Sequence, residues 1–385
     1  MRFGSEETFP NSKAIVNFRN IAYVKVITVL GIDISYSYYD RKAQLQRILS
    51  NMKSQLNMWR SRDLSLFGKI QIVKTYALSQ LFIYLASIVF VPDSFVHEAN
   101  KVVYDFIWRG PDRIKREVIV KDYVEGGLKM ICIKSMLQVQ KVKWVTRLFL
   151  SCSKGWKAIC LELLKPLGKE LIFFCNIEVL RLQVKVSNWL LDVLKTWAIV
   201  TKQNETNIAN QILWNNKNIL FNGKTIFSQR IAEKGFVKIS DILDEHGRPL
   251  RWKHCKSNGL QFTEYFTLLD CYKKMHNAWK LFFMQENYYS FIKPINSIPA
   301  LMIHEREIEL HNVTTKQLYN KLLYFNNPGT SKAFDYLREA YGISPEKVRN
   351  LFVLPVPCNI KSYNRLYLPK INRKSYNQLY LNNRS

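Results

Sequence analysis

A mainly α-helical fold follows from three properties of this sequence. Apolar residues recur at spacings of three and four through its first part. Helix-start and helix-stop residues bound the segments that carry this period. The 48% hydrophobic content of 385 residues is enough to bury at least two cores and excludes a disordered basic polypeptide.

Asp40 to Trp59 reads as an amphipathic helix. Leu45, Ile48, Leu49, Met52, Leu56 and Trp59 share one face, and Arg41, Lys42, Arg47 and Lys53 lie elsewhere. Ser65 is placed to cap a second helix that turns Ile70, Val73, Ala77 and Leu81 inward. Pro92, Asp93 and Ser94 break the chain, and Phe95 to Trp108 forms a third helix, completing a small bundle. Gly126 and Gly127 mark a tight turn, and Gln138 to Leu150 is a fourth helix. From Ser151 to Asn188 apolar and basic residues mix without a period that assigns elements.

Asn204 to Asn222 is Asn-rich and reads as an exposed linker or loop. Gly223 to Gly247 reads as short strand, helix and turn. Phe262 to Gln285 reads as one aromatic-rich helix. Pro294 and Pro299 bracket a loop, and Leu301 to Leu310 is a strand or a helix. The tail echoes itself, KSYNRLYLPKIN at Lys361 and KSYNQLYLNN at Lys374. Two copies are too few for a solenoid and read as a polar, Tyr-rich tail.

Charge points to the partner. The 57 Lys and Arg exceed the 30 Asp and Glu, a formal charge of +27 spread along the whole chain. A spread excess favours a long electrostatic track over a single localisation signal. The excess is most pointed between Phe106 and Arg147, where Arg109, Arg113, Lys115 and Arg116 surround the turn at Gly110-Pro111. A surface that grips a phosphate backbone and a solvated charged loop both fit that pattern.

Other chemistries find less support. The seven cysteines include no Cys-x-x-Cys pair and read as reduced, mostly buried thiols. His254, Cys255, Cys271 and His276 are zinc-ligand types, but an adjacent His-Cys is an awkward chelate, so no metal site is assigned. No nucleophile elbow, phosphate-cradling glycine loop or His-Glu-x-x-His is present. HEREIEL, at His304 to Leu310, fits a solvated charged strand or helix. Thr75 to Pro92 carries no charge for eighteen residues. Ser79, Gln80 and Ser87 interrupt it, which favours a core helix over a membrane span.

The segment FIWRG, RIKR, GGLK and a helix with Trp144 and Arg147 resembles the region after the polymerase core in reverse transcriptases of LINE-type (non-long-terminal-repeat) retrotransposons. Upstream, VLGIDI at Val29 to Ile34 resembles the strand that closes their palm. MWRSRDLSLFGKIQIVKTYALSQLFIYLASIVFVP, from Met58, resembles their thumb helix pair. Downstream, WNNKNILFNGKTIF at Trp214, KGFVKISDILDEHG at Lys234 and KQLYNKLL at Lys316 follow the weaker post-thumb pattern.

The resemblance implies a mainly α architecture: a polymerase-thumb-like helical bundle followed by a mixed, mostly helical post-thumb region. It implies the end of a palm over residues 1–36, the thumb-like bundle with its basic loop over 37–150, a mixed connector over 151–203, the post-thumb region over 204–360 and the polar tail over 361–385. The family's two Mg²⁺ ions are held by an aromatic-Ala-Asp-Asp turn and a further Asp upstream. This chain has no Asp-Asp pair, and neither Asp33 nor Asp40 has a second carboxylate placed to share a metal. The expectation is therefore a C-terminal fragment, catalytically incompetent alone, with no cofactor of its own and Mg²⁺ only in the missing palm.

The expected partners are RNA, RNA–DNA hybrid or DNA, and an upstream palm domain, with no membrane. The expected location is the nucleus or a cytoplasmic ribonucleoprotein. The residues expected to touch the backbone are Arg60, Arg62, Lys69 and Lys74 around the thumb helices, then Arg109, Arg113, Lys115 and Arg116, then Lys129, Lys141, Lys143 and Arg147. Trp108 and Trp144 can stack on bases or anchor apolar helix faces, and the second fits their helical setting better. The competing function is a repurposed basic nucleic-acid-binding or membrane-surface scaffold without a polymerase link.

Overall fold

A computed structural model describes residues 26–29, 32–35, 38–79, 90–150, 155–184, 186–201, 208–284, 292, 294, 295, 298–329, 335 and 339. The fold is mainly α, as the sequence predicts. It divides into two compact units. The first is formed by residues 1–137 and 323–385, and the second by 138–322.

In the first unit, β1 (Val26–Val29) and β2 (Ile32–Ser35) pair antiparallel, with Val26 opposite Ser35 and Val29 opposite Ile32. VLGIDI, expected as one closing strand, is instead divided between the two arms of this hairpin. Helix α1 (Tyr38–Arg60) follows, and it buries Leu45, Met52 and Leu56 along the expected face while Lys42, Arg47 and Lys53 stay exposed. Ser65 caps α2 (Leu66–Ile72) as expected, its hydroxyl accepting from the Gly68 N–H at 3.0 Å.

The helix then widens into a π turn over Val73–Ala77, with Ile70, Val73 and Ala77 inward. The transmembrane-or-core question at Thr75 to Pro92 falls largely on residues 80–89, outside the described residues, as does the inward placement of Leu81. Helix α3 (Asp93–Trp108) buries Phe95, Ala99, Val103, Phe106 and Ile107. Helix α1 packs on both the π turn and α3.

A short helix, α4 (Arg116–Ile119), and a 3-10 turn at Tyr123–Glu125 lead into the double glycine. Gly126 adopts φ 76°, and a Cβ on Gly127 would stand 2.2 Å from the Lys121 carbonyl oxygen. Only glycine fits there, because no side chain tolerates a backbone that close. Helix α5 (Ile133–Leu150) begins in the first unit and ends in the second.

The second unit holds α6 (Gly155–Leu164), α7 (Asn188–Thr201), α8 (Gln229–Glu233), α9 (Trp252–Ser257), α10 (Phe262–Lys274) and α11 (Asn277–Phe283), with 3-10 turns between them. Its core gathers Val145, Leu148, Ile172, Phe173, Leu194, Trp197, Trp214, Ile239 and Leu322. Trp197 and Trp214 are fully enclosed. Each indole N–H donates to a carbonyl at 2.8 Å, that of Phe173 and that of Phe236 respectively.

Two expectations are corrected here. The Asn-rich stretch is interior over 211–216, where its amides satisfy buried backbone, while Asn218 and Asn222 are exposed as expected. Asn215 donates to the Leu167 carbonyl at 2.9 Å and Asn216 to the Ile212 carbonyl at 2.8 Å. The single helix expected from Phe262 to Gln285 is two, because the His276 ring nitrogen Nδ1 accepts the Ala278 N–H at 3.2 Å and starts α11 afresh.

β3 (Ala300–Ile303) and β4 (Arg306–Glu309) form a hairpin whose turn residues, His304 and Glu305, both have positive φ, 47° and 63°. HEREIEL is therefore turn and strand. Helix α12 (Thr315–Asn326) runs from the second unit into the first. The Tyr-rich echo and the 361–385 tail lie outside the described residues.

Candidate nucleic-acid interface

In the first unit, three elements bring cations together: the end of α1, helix α2 with its π turn, and the loop after α3. The Lys69 ammonium donates to the Ile107 carbonyl at 3.0 Å, which holds it over the C-terminal end of α3. Burial pushes its pKa down, and the guanidinium groups of Arg109 and Arg113 push it down further, with Asp63 acting weakly the other way. Lys74 is likewise depressed, first by burial and then by the charge of Lys129. Both lysines thus sit among like charges, an arrangement that disfavours their protonated form in the unliganded protein.

Arg109 ends α3 in a left-handed conformation, φ 52°, and its side chain bonds the Arg60 carbonyl. Arg60 pairs with Asp105, and the Arg62 guanidinium lies over the Trp59 ring at 4.4 Å. Arg116 is held by Asp112 at 2.7 Å and by the Tyr104 ring at 4.5 Å. Lys129 is held by Asp122 at 2.9 Å and by the Tyr123 ring at 4.8 Å. Arg113 and Lys115 are exposed and take no ion pair among the described residues. Three acids therefore answer Arg60, Arg116 and Lys129, while Arg62, Lys69, Arg109, Arg113 and Lys115 take no ion pair among the described residues.

The last three expected residues belong to the second unit. Lys141 is corrected as a surface contact: it is 2% exposed, it faces Asp192 at 3.5 Å and its ammonium lies 5.3 Å from the Trp189 ring. A phosphate cannot reach it without displacing that packing. Lys143 is half-buried and Arg147 exposed on the same helix. Trp108 and Trp144 are buried anchors and not base stackers in this arrangement, Trp144 meeting Trp189 edge-on at 4.8 Å.

Sequence reasoning passed over Lys121. It is buried, bonds the Gly329 carbonyl and faces the Tyr324 ring at 5.5 Å. No local pattern marks a partner 208 residues away.

Among the described residues no three His, Cys, Asp or Glu side chains come together to hold a metal ion. Cys255 and Cys271 are buried while His254 and His276 are exposed. Burial raises the Cys271 thiol to about 12, far from the thiolate that metal or nucleophilic chemistry needs. No helix of the described residues is long and apolar enough to cross a membrane.

No protein-family model matches the chain. Over 245 residues, 59% of its length, the chain is 22% identical to an uncharacterized 149 kDa protein of transposon TX1 from Xenopus laevis. The match spans 18% of that protein, so the chain corresponds to under a fifth of this relative's length. The similarity supports a transposon-related origin.

Proposed function

We propose that the first unit grips the sugar–phosphate backbone of RNA or RNA–DNA duplex without reading bases, as the thumb of a LINE-type retrotransposon reverse transcriptase does. The observation that carries this is the pair Lys69 and Lys74, held half-buried against Arg109, Arg113 and Lys129. Folding gains nothing from such repulsion, whereas a polyanion laid across it is attracted to every charge at once. The short basic loop after α3 and the basic end of α1 supply donors that hold position, not sequence.

In this reading residues 37–150 are the thumb, 151–203 the connector and 204–360 the post-thumb region, and the work is done in a nuclear or cytoplasmic ribonucleoprotein. The transposon-encoded relative fits the same origin. The chain's part is binding. Nucleotide addition and its Mg²⁺ would belong to a palm that carries the paired aspartates.

The test is a salt titration of binding to an RNA–DNA hybrid of random sequence. The expected result is a steep fall in affinity with salt, about 0.9 in log–log slope per neutralised phosphate, and no preference among sequences. Lys69→Gln with Arg113→Gln lowers the slope by about one per lost contact. Binding that stays flat from low to moderate salt, or a slope that the double variant leaves unchanged, sinks the proposal.

A further inference from the structure

We propose that the second unit carries a separate stacking platform for single-stranded nucleic acid, built on Phe262 and Phe266. The two rings stand one turn apart on α10, 55% and 48% exposed, with centroids 4.8 Å apart and nearly perpendicular. Behind them Trp252, on α9, meets Phe262 edge-on at 5.2 Å and Tyr265 at 5.5 Å. The Tyr265 hydroxyl donates to the Leu250 carbonyl at 3.1 Å, and Glu264 is fixed by the Lys234 ammonium at 2.6 Å. Four mutually braced rings, two of them left in water, are not explained by the core they border.

The charge beside them selects the occupant. Arg251 and Lys253 flank Trp252, and Lys256 follows it one turn later. All three are exposed and free of ion pairs among the described residues. Cations next to open aromatic faces match a strand that offers phosphate and unpaired bases together. A duplex keeps its base faces stacked and cannot use these rings, so the ligand class is unpaired RNA or DNA. The inference shares with the proposed function only the class of partner, and it rests on different residues.

The test uses the full chain and three labelled probes read by anisotropy: a twelve-nucleotide oligo-uridylate, oligo-thymidylate of the same length, and a blunt RNA–DNA hybrid. Phe262→Ala with Phe266→Ala is expected to weaken both single strands at least about tenfold, the usual scale for losing stacking on a base, and to leave the hybrid within about twofold. Phe262→Tyr with Phe266→Tyr retains single-strand binding, and Lys253→Gln with Lys256→Gln reduces its salt dependence. Loss on oligo-uridylate alone still supports the platform and restricts it to RNA.

Equal single-strand affinity in the alanine and parent proteins overturns the platform and leaves the patch to a protein partner. Parallel loss on the hybrid overturns it as well, since the change is then one of folding. Hybrid binding by the parent protein with no single-strand binding sinks this inference alone. Single-strand binding through the rings without hybrid binding sinks the proposed function alone.

Discussion

Four lysines, two in each unit, meet burial in opposite company. Lys69 and Lys74 in the first, and Lys141 and Lys238 in the second, all have pKa values lowered chiefly by burial. In the second unit a carboxylate opposes the cost, Asp192 for Lys141 and Asp241 for Lys238. In the first unit the next influence is another cation, Arg109 beside Lys69 and Lys129 beside Lys74. A lysine answered from within serves the fold. One crowded chiefly by its own kind is one that an anion from outside would stabilise.

The comparison can be broken at its strongest point by removing an internal answer. Asp192→Ala strands the enclosed Lys141 ammonium and should cost about 3 kcal/mol, at the low end for a broken buried pair because Asp192 is itself half-buried. Lys141→Met should cost clearly less, and urea denaturation midpoints at constant slope would show it. Equal losses would mean that the pair contributes by packing alone.

Next in size is Arg109→Gly. The left-handed φ of 52° at Arg109 suits glycine, so the first unit should gain about 1 kcal/mol while hybrid affinity falls. Reduced stability on thermal melting would place Arg109 with the internally answered residues.

A smaller effect is a proton linkage. Lys69 and Lys74 have folded pKa values below the ordinary 10.5. Without ligand their burden is full below the lowered values and is relieved as pH rises towards 10.5, so they add stability across that interval. A bound phosphate would restore the charged form. Hybrid binding in that interval should therefore take up protons and weaken with rising pH, measurable by calorimetry in buffers of different ionisation heat. Proton release would reverse the assignment.

A separate linkage belongs to Lys321, brought to about 8 by burial alone, its ammonium donating to the Met302 carbonyl at 2.7 Å. Stability should rise between pH 8 and 10.5, and Lys321→Met should flatten that rise in pH-dependent unfolding.

Much of the first unit was legible from local signals. The α1 face, the Ser65 cap, the break before α3 and the double glycine each depend on residues within a few positions of one another. The second unit hid its organisation in long-range partners. Asn215 reads as loop until the Leu167 carbonyl, 48 residues away, is known to need its amide. The restart at His276 involves neither proline nor glycine, and the π turn at Val73–Ala77 has no breaker either. The same division runs through the candidate interface. Arg109, Arg113 and Lys69 could be grouped from composition and turn signals, but Lys141 could not be excluded until Asp192, 51 positions on, was seen facing it.

The first unit is written in two pieces of chain with the whole second unit between them. Its returning piece bonds Tyr324 to Glu125, 199 residues back, Asn326 to Ser135 at 3.0 Å and the Gly329 carbonyl to Lys121. At about 5–20 residues per second, a ribosome makes Glu125 wait roughly 10–40 s for Tyr324. During that wait all of residues 138–322 is made, so synthesis delivers the whole second unit before the first has its last piece. Until then Lys121, buried in the finished protein, has no Gly329 carbonyl to meet.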